Sequence, residues 1–237
     1  EPVSNYRVYK RTDIQTLFPE IFDIKIHETE EDHGEPKKDY NVIELFAGAG
    51  GLAIGLEKAG LKCLALNEID KFACATLRKN RPQWNVLEGD IKDFDFKEFK
   101  NKVEVVTGGF PCQAFSYAGK RLGFEDARGT LFYEFARVVK DVNPPVCIGE
   151  NVKGLLSHDG GKTLQGMISI LDEIGYNVAP VKVLRAVNYN VPQKRERLIL
   201  VGIRKDINIP FEYPKPNQKI FTLNPLFQII LETLGTQ

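Results

Sequence analysis

The fold is decided by residues 42–51, VIELFAGAGG. Five mostly apolar residues run directly into a turn that contains three glycines, and apolar residues then recur at helical spacing over residues 52–58. Glycine lets the backbone turn tightly and approach a ligand where a Cβ atom would collide. The stretch therefore predicts a buried strand, a ligand-binding turn and a helix, although many α/β proteins use such a turn for packing alone.

The same alternation of short apolar runs and helical runs continues along the chain. The predicted strands are residues 42–46, 63–67, 86–88, 103–107, 146–149 and 198–203. The predicted helices are residues 52–58, 71–80, 130–142 and 163–174. Strands that are apolar on both faces and alternate with helices are typical of a parallel sheet covered on both sides. We therefore predict an α/β fold with a doubly wound, mostly parallel sheet.

The composition narrows the classes of function. Apolar residues make up 43% of the chain, and 32 Lys and Arg balance 32 Asp and Glu. Without net charge, any contact with nucleic acid has to come from local clusters of cations. No apolar run reaches the length of a membrane span and no secretory signal opens the chain, so we expect a cytoplasmic protein with no membrane association. The four cysteines and three histidines are scattered, and we expect no metal site.

The two ends of the chain differ from its middle. We interpret residues 1–39 as an N-terminal extension and linker, because residues 27–39 are rich in charge and poor in apolar side chains. The main domain is predicted to span residues 40–215. The apolar segment at residues 216–237 is interpreted either as a docking surface for another polypeptide or as ordinary packing.

Two acidic residues follow predicted strands at the same edge as the glycine turn. Glu68 ends the second strand, 20 residues after Gly48, and Asp90 follows the third. A carboxylate at that spacing in this topology reaches ribose hydroxyl groups. The turn lacks the Gly-x-Gly-x-x-Gly spacing that places a pyrophosphate on the helix, so a nucleoside-type cofactor without phosphates fits better. Either acid alone is more simply a solvated strand-end residue, but the pair with the turn favours a binding site.

The fourth strand runs into residues 108–113, GGFPCQ, which present Cys112 at the carboxyl edge of the sheet. A lone cysteine is more often a small buried residue than a nucleophile. Residues 114–128, however, are rich in Gly, Lys and Arg, and they predict a basic loop rather than core. The other three cysteines fall within strand or helix patterns and are interpreted as packing residues. No histidine is placed near Cys112, which argues against a Cys-His hydrolase.

Charged residues from the last two strands complete the predicted site. Glu150 follows the fifth strand, and burial can hold such a carboxyl group protonated as a hydrogen-bond donor. A structural ion pair or cap is an equally open reading of Glu150. Arg195 and Arg197 precede the last strand at alternate positions, so both point to one side of an extended chain. Arginine pairs suit phosphate or carbonyl oxygens.

Together these motifs resemble those of the DNA (cytosine-5) methyltransferases of bacterial restriction–modification systems. The matching segments are FAGAGG at 46–51, GFPCQ at 109–113, RGTLF at 128–132, ENV at 150–152 and QxRxR at 193–197. They stand in the family's order and at its spacing, and the resemblance covers residues 40–215. It implies a Rossmann-like fold that binds S-adenosylmethionine, the product being S-adenosylhomocysteine.

The resemblance also implies roles for individual residues. The implied cofactor-binding residues are Phe46, Gly48, Ala49, Gly51, Glu68, Ile69, Asp90, Ile91, Gly109, Pro111 and Leu131. The implied catalytic residues are Cys112, Glu150, Arg195 and Arg197. The implied substrate contacts are Ser116, Lys120, Arg128, Asn151 and Gln193. In the family's mechanism the cysteine adds to carbon 6 of cytosine while the glutamate contacts N3.

Because a stacked base hides carbon 6, the implied substrate is duplex DNA with its target cytosine flipped out. The family places a target-recognition domain after the last strand, and residues 204–237 leave no room for one. We therefore expect a missing segment or a second polypeptide to supply recognition. Two alternatives stay open, a methyltransferase that acts on transfer RNA and a catalytically silent scaffold. The resemblance further implies a bacterial protein associated with the nucleoid.

Overall fold

The computed structural model describes residues 39–111 and 130–217. The strands are β1 (Tyr40–Leu45), β2 (Leu61–Glu68), β3 (Val86–Glu88), β4 (Val105–Gly108), β5 (Val146–Val152), β6 (Tyr176–Val178), β7 (Lys182–Arg185) and β8 (Glu196–Arg204). The α-helices are α1 (Gly51–Lys58), α2 (Lys71–Asn80), α3 (Leu131–Val142) and α4 (Lys162–Glu173). Short 3₁₀ helices occupy several of the connections, among them Ile91–Asp93 and Ala186–Tyr189.

The described residues form one eight-stranded sheet in the order β3-β2-β1-β4-β5-β8-β6, with β7 also paired to β8. The strands from β3 to β5 are all parallel. β8 runs antiparallel to β5, and β6 and β7 pair in turn with the two halves of its other side. Parallel strands collect their carboxyl ends at one edge of the sheet, and the reversed β8 begins at that same edge.

Helices cover both faces of the sheet. The larger hydrophobic core packs α3 and α4 against one face and includes Phe132, Phe135 and Met167. The smaller core packs α1 and α2 against the other face and includes Ala53 and Leu77. The predicted doubly wound, mostly parallel α/β architecture is therefore confirmed.

The helices α1 and α2 begin in different ways. Asp70 caps α2, since its carboxylate accepts hydrogen bonds from Phe72 N and Ala73 N, each at 2.8 Å. α1 follows Gly50, which is in the left-handed region at φ 87°, and it has no side-chain cap. The first backbone N–H groups of α1 thus lie at the glycine turn without a carboxylate in front of them.

The sequence predicted most elements to within a few residues. β3 and α2 have the predicted bounds, and the other predicted elements differ by one to three residues at an end. β6 and β7 were not predicted, because three and four residues are too few to show a clear alternation.

Within residues 39–111 and 130–217, no helix is both long and apolar enough to cross a membrane. The same residues contain no group of three or more His, Cys, Asp or Glu side chains placed to hold a metal ion. The predictions of an N-terminal extension and of a C-terminal apolar segment concern residues that lie almost wholly outside the described part of the chain.

One acid lies inside the sheet rather than at its edge. Glu44, in β1, is 2% exposed, and its Oε2 atom has no hydrogen-bond partner in the described part of the chain. Its neighbours across the sheet are Leu66 in β2 and Thr107 in β4. Burial raises the pKa of Glu44 to about 8 from an ordinary value of 4.5. The folded protein therefore favours the protonated carboxyl group.

We predict that Glu44→Gln removes a pH dependence of stability. The pKa of Glu44 is higher in the folded state than in the unfolded state, so between pH 4.5 and 8 the unfolded state ionises more readily. The free energy of unfolding therefore falls progressively over this range. The total loss is on the order of 5 kcal/mol, from a rise of the pKa from 4.5 to about 8 at about 1.4 kcal/mol per unit. Urea unfolding at pH 5 and pH 8 measures the free energy of unfolding of both proteins. The difference between Glu44→Gln and the parent should shift in favour of the variant at pH 8. The control is Glu57→Gln, at a half-exposed carboxylate. An equal gain in the free energy of unfolding at both pH values would contradict the prediction.

Candidate active site

The glycine turn after β1 separates into residues that pack and residues that face open space. Phe46, Gly48 and Gly50 all have positive φ, at 58°, 54° and 87°. A Cβ atom on Gly50 would lie 2.7 Å from the Leu77 side chain, so Gly50 is required by the packing of α2. Apart from the adjoining residues, no atom of the described part of the chain lies within 4 Å of a Cβ built on Gly48 or on Gly51. The space in front of these two residues is open to a ligand.

Glu68 joins this turn to the end of β2. Its Oε2 atom accepts a hydrogen bond from Gly48 N at 2.7 Å, and its Oε1 atom accepts from Ile69 N at 2.9 Å and Asp70 N at 2.8 Å. The side chain is 9% exposed. Each carboxylate oxygen has two lone pairs, so Oε2 keeps one acceptor site for a hydroxyl group beside the turn.

The end of β3 is held by a residue that the sequence reasoning missed. Asn67 is 2% exposed, and its Nδ2 atom donates to Leu87 O at 3.0 Å and Gly89 O at 3.2 Å. Asp90, which follows, accepts from Lys92 N at 3.1 Å and caps the next 3₁₀ helix. A polar residue inside an apolar strand was the only signal for Asn67 in the sequence.

The two isoleucines predicted to contact the cofactor lie in opposite environments. Ile91 is 2% exposed and belongs to the larger core. Ile69 is 66% exposed, directly after Glu68. Ile69 is therefore the one placed to cover a ligand at the end of β2.

The structure brings Glu150, Arg195 and Arg197 together at the end of β5. Arg197 Nε lies 2.9 Å and Arg195 Nη2 3.4 Å from Glu150 Oε1. Neither ion pair involves Oε2, which lies 3.4 Å from the position of a Cβ on Gly109 at the end of β4. One carboxylate oxygen is thus anchored by two guanidinium groups, and the other faces the segment that leads to Pro111.

Glu150 is neither fully buried nor isolated from other charges. Its side chain is 26% exposed and has two cationic partners. The reason is the reversal of β8, which places Arg197 near its start, and Arg195 just before it, beside the end of β5. The structure therefore shows Glu150 in two ion pairs.

Asn151 has a position different from the one expected of a substrate contact. It is 3% exposed, its Nδ2 atom donates to Phe110 O at 2.8 Å, and its Oδ1 atom accepts from Val152 N at 2.8 Å. Both polar atoms are therefore used by the backbone. Asn151 fixes the chain just before Pro111 relative to the end of β5, and it acts as a positioning residue.

The remaining predicted site residues lie partly outside and partly inside the described part of the chain. Cys112, Ser116, Lys120 and Arg128, and the predicted loop at 114–128, lie outside the described residues. Pro111, next in the chain to Cys112, is exposed at the edge of the sheet, and Gln193 is exposed before β8. Ala49 is exposed in the glycine turn, and Leu131 is half-buried at the start of α3.

The three other cysteines are unsuited to act as nucleophiles. Burial raises the pKa of Cys147 to about 12 and the pKa of Cys63 to about 11, and it also raises the pKa of Cys74. Cys74 and Cys147 are fully buried, whereas Cys63 is only partly buried. Their thiols remain protonated near neutral pH, consistent with packing roles.

The sequence pattern of C-5 cytosine-specific DNA methylases matches residues 40–234. The chain belongs to this family. It is 54% identical over 222 residues to the type II methyltransferase M.Eco47II of Escherichia coli, covering 93% of this chain and 53% of the relative. It is 56% identical over 191 residues to M.PspPI of a Psychrobacter species, covering 80% of this chain and 46% of the relative. The chain therefore spans about half the length of the curated relatives that it matches.

A solved structure shares the fold of this family member. A DNA modification methyltransferase encoded within an E. coli prophage superposes with a TM-score of 0.63 at 26% identity, over 78% of this chain and 53% of that one. The Rossmann-like methyltransferase fold implied by the sequence motifs is thus confirmed.

We predict that Glu68→Ala destabilises this methylase-family domain more than the loss of a surface ion pair does. Three backbone N–H groups lose a charged acceptor, which should cost roughly 2–3 kcal/mol because water can reach some of them. The control is Glu57→Ala, which removes a half-exposed pair with Arg81 at 2.9 Å and should cost less than about 1 kcal/mol. Chemical denaturation of both variants measures the difference, and equal losses would show that Glu68 does not hold the turn.

Proposed function

We propose that this chain carries the catalytic part of a DNA (cytosine-5) methyltransferase of a restriction–modification system. The observation that carries the proposal is the anchored Glu150 carboxylate, with one oxygen facing the end of β4 where the chain leads to Pro111 and Cys112. The open glycine turn lies two strands away along the same edge, since β1 and β4 are neighbours and β4 adjoins β5. A nucleophile, an acid and a cofactor cradle then share one cleft.

The described residues at the glycine turn fit S-adenosylmethionine. Open space faces Gly48 and Gly51, and Oε2 of Glu68 keeps an acceptor site for a ribose hydroxyl group. The exposed Ile69 offers an apolar surface for the adenine. When bound, the cofactor supplies a methyl group on a positively charged sulfur, an electrophile that a carbon nucleophile can take up.

Carbon 5 of cytosine is a weak nucleophile, and the residues at the end of β4 would activate it. The Cys112 thiolate adds to carbon 6, which makes carbon 5 electron-rich; after methylation, loss of the proton from carbon 5 expels the thiolate. Free cysteine has a pKa of about 8.5, so a small fraction is thiolate at neutral pH. Asn151 supports this step by fixing Phe110 O, two residues before Cys112.

The two carboxylate oxygens of Glu150 would have different roles, one in ion pairs and one in contact with the base. Oε1 is paired with Arg195 and Arg197, which favours one orientation of the carboxyl group at the edge. Oε2 is left to meet N3 of the base, where a proton or a hydrogen bond stabilises the adduct at carbon 6. Arg195 is 51% exposed, and its remaining N–H groups would donate to the O2 oxygen of the base.

We further propose that residues 40–215 form the catalytic domain and that target recognition resides elsewhere. The matched relatives are about twice as long as the aligned region, so they contain a comparable length of chain that this sequence does not match. That remaining part, in the same polypeptide or in a second one, would contact the bases around the flipped cytosine. Residues 1–39 would form an extension outside the catalytic domain.

The proposed reaction predicts a covalent complex with modified DNA. Duplex DNA carrying 5-fluorocytosine, with S-adenosylmethionine, should trap the complete protein in a denaturant-resistant adduct. The fluorine replaces the hydrogen on carbon 5, and a base cannot remove it, so the thiolate is not expelled. Cys112→Ala should abolish the adduct, whereas Cys147→Ala, if folded, should keep it. Transfer RNA is the second arm of the assay. If only transfer RNA forms the adduct, transfer RNA and not DNA is the substrate. The absence of any adduct would contradict the proposal.

We predict that Glu150→Gln slows methyl transfer while cofactor affinity stays within about twofold. Loss of the acid should lower kcat on the order of 100-fold or more, the usual contribution of general acid–base catalysis. Single-turnover methylation measures the rate, and calorimetry measures binding of S-adenosylmethionine. Glu57→Gln on α1 serves as the control. A variant that methylates at the parent rate would remove Glu150 from the mechanism.

A further inference from the structure

A second charged cluster lies beside the catalytic one, on the opposite face of β8. Glu196, the first residue of β8, pairs through Oε2 with Lys153 Nζ at 3.1 Å and through Oε1 with Arg185 Nε at 3.3 Å. Arg185 ends β7 directly opposite Glu196, and Lys153 follows β5. We call Lys153, Arg185 and Glu196 the rim cluster. It joins the ends of three strands at the carboxyl edge of the sheet.

The alternation of a strand separates the rim cluster from the catalytic ion pairs. Arg195 and Arg197 point to one side and reach Glu150, whereas Glu196 between them points to the other. Each carboxylate holds two cations, so each group of three side chains has a surplus of one positive charge. Together with the exposed Lys194, these two groups contain five cations and two carboxylates.

The rim cluster contributes little to folding. The side chains of Lys153 and Arg185 are 58% and 56% exposed, and that of Glu196 is 34% exposed. Ion pairs with such access to water are weak, because solvent screens them and holding long side chains in place costs entropy. Two cations kept side by side by a shared carboxylate are, in contrast, well arranged to meet a singly charged oxygen group from outside.

We propose that the rim cluster binds phosphates of the DNA backbone next to the flipped nucleotide. The inference rests on the proposed function and adds a binding site to it. The chain has no net charge, so its attraction for DNA has to come from local surpluses such as this one. Lys153 and Arg185 each contact a phosphate, and Glu196 keeps them aligned while it limits their affinity for DNA in general.

The test is the salt dependence of DNA binding by the complete protein. A fluorescent duplex is titrated in about 50 to about 200 mM NaCl, and log Kd is plotted against log salt. Lys153→Gln and Arg185→Gln should each lower the slope by about 0.9, which corresponds to roughly eightfold weaker binding near 100 mM salt.

Two further variants keep the proposal falsifiable. Glu196→Gln should tighten DNA binding severalfold, a gain that a folding defect cannot mimic. Lys205→Gln is the matched control, since Lys205 forms a similar exposed pair with Asp172 at 2.9 Å after the far end of β8, and it should leave the slope unchanged. If the slopes are unchanged for Lys153→Gln and Arg185→Gln while the parent protein methylates DNA, the rim cluster does not bind phosphates, and the proposed function is unaffected. A parent protein that fails to methylate DNA would overturn the proposed function instead.

Discussion

The candidate site depends on one reversed strand. Five parallel strands bring the glycine turn, Glu68 and Glu150 to a single edge, but parallel pairing alone does not place an arginine beside Glu150. β8 runs antiparallel to β5, so its beginning rather than its end lies beside Glu150. Arg195 and Arg197 therefore reach a carboxylate more than 40 residues away in the chain. A parallel strand in the same place would carry these arginines to the opposite edge.

The ends of the strands are tied to one another by polar side chains that bind backbone. Glu68 joins β2 to the glycine turn, Asn67 joins β2 to the segment after β3, and Asn151 joins β5 to the segment after β4. Each of these side chains is at most 9% exposed. Buried hydrogen bonds of this kind hold the cleft in shape before a ligand arrives, which lowers the entropy that binding has to overcome.

The sequence predicted the sheet and most of the helices because their apolar periodicity is long enough to read, as in α2, and because the motifs fall at strand ends. It could not predict the role of Asn151, whose partner Phe110 O is 41 residues away and is defined only by the pairing of β4 with β5. The same limit applies to Glu150. Its position at an edge could be predicted, whereas its two guanidinium partners depend on the register of β8.

The charge at this edge follows from the same geometry. Subtracting the five cations and two carboxylates around the start of β8 from 32 of each sign leaves 27 positive and 30 negative residues in the rest of the chain. A protein without net charge can thus present a local positive surplus beside its candidate site. Glu150 and Glu196 are part of this design, because a carboxylate shared by two cations fixes their position and still leaves a positive surplus. The reversal of β8 therefore accounts both for the anchored acid and for the cations around it.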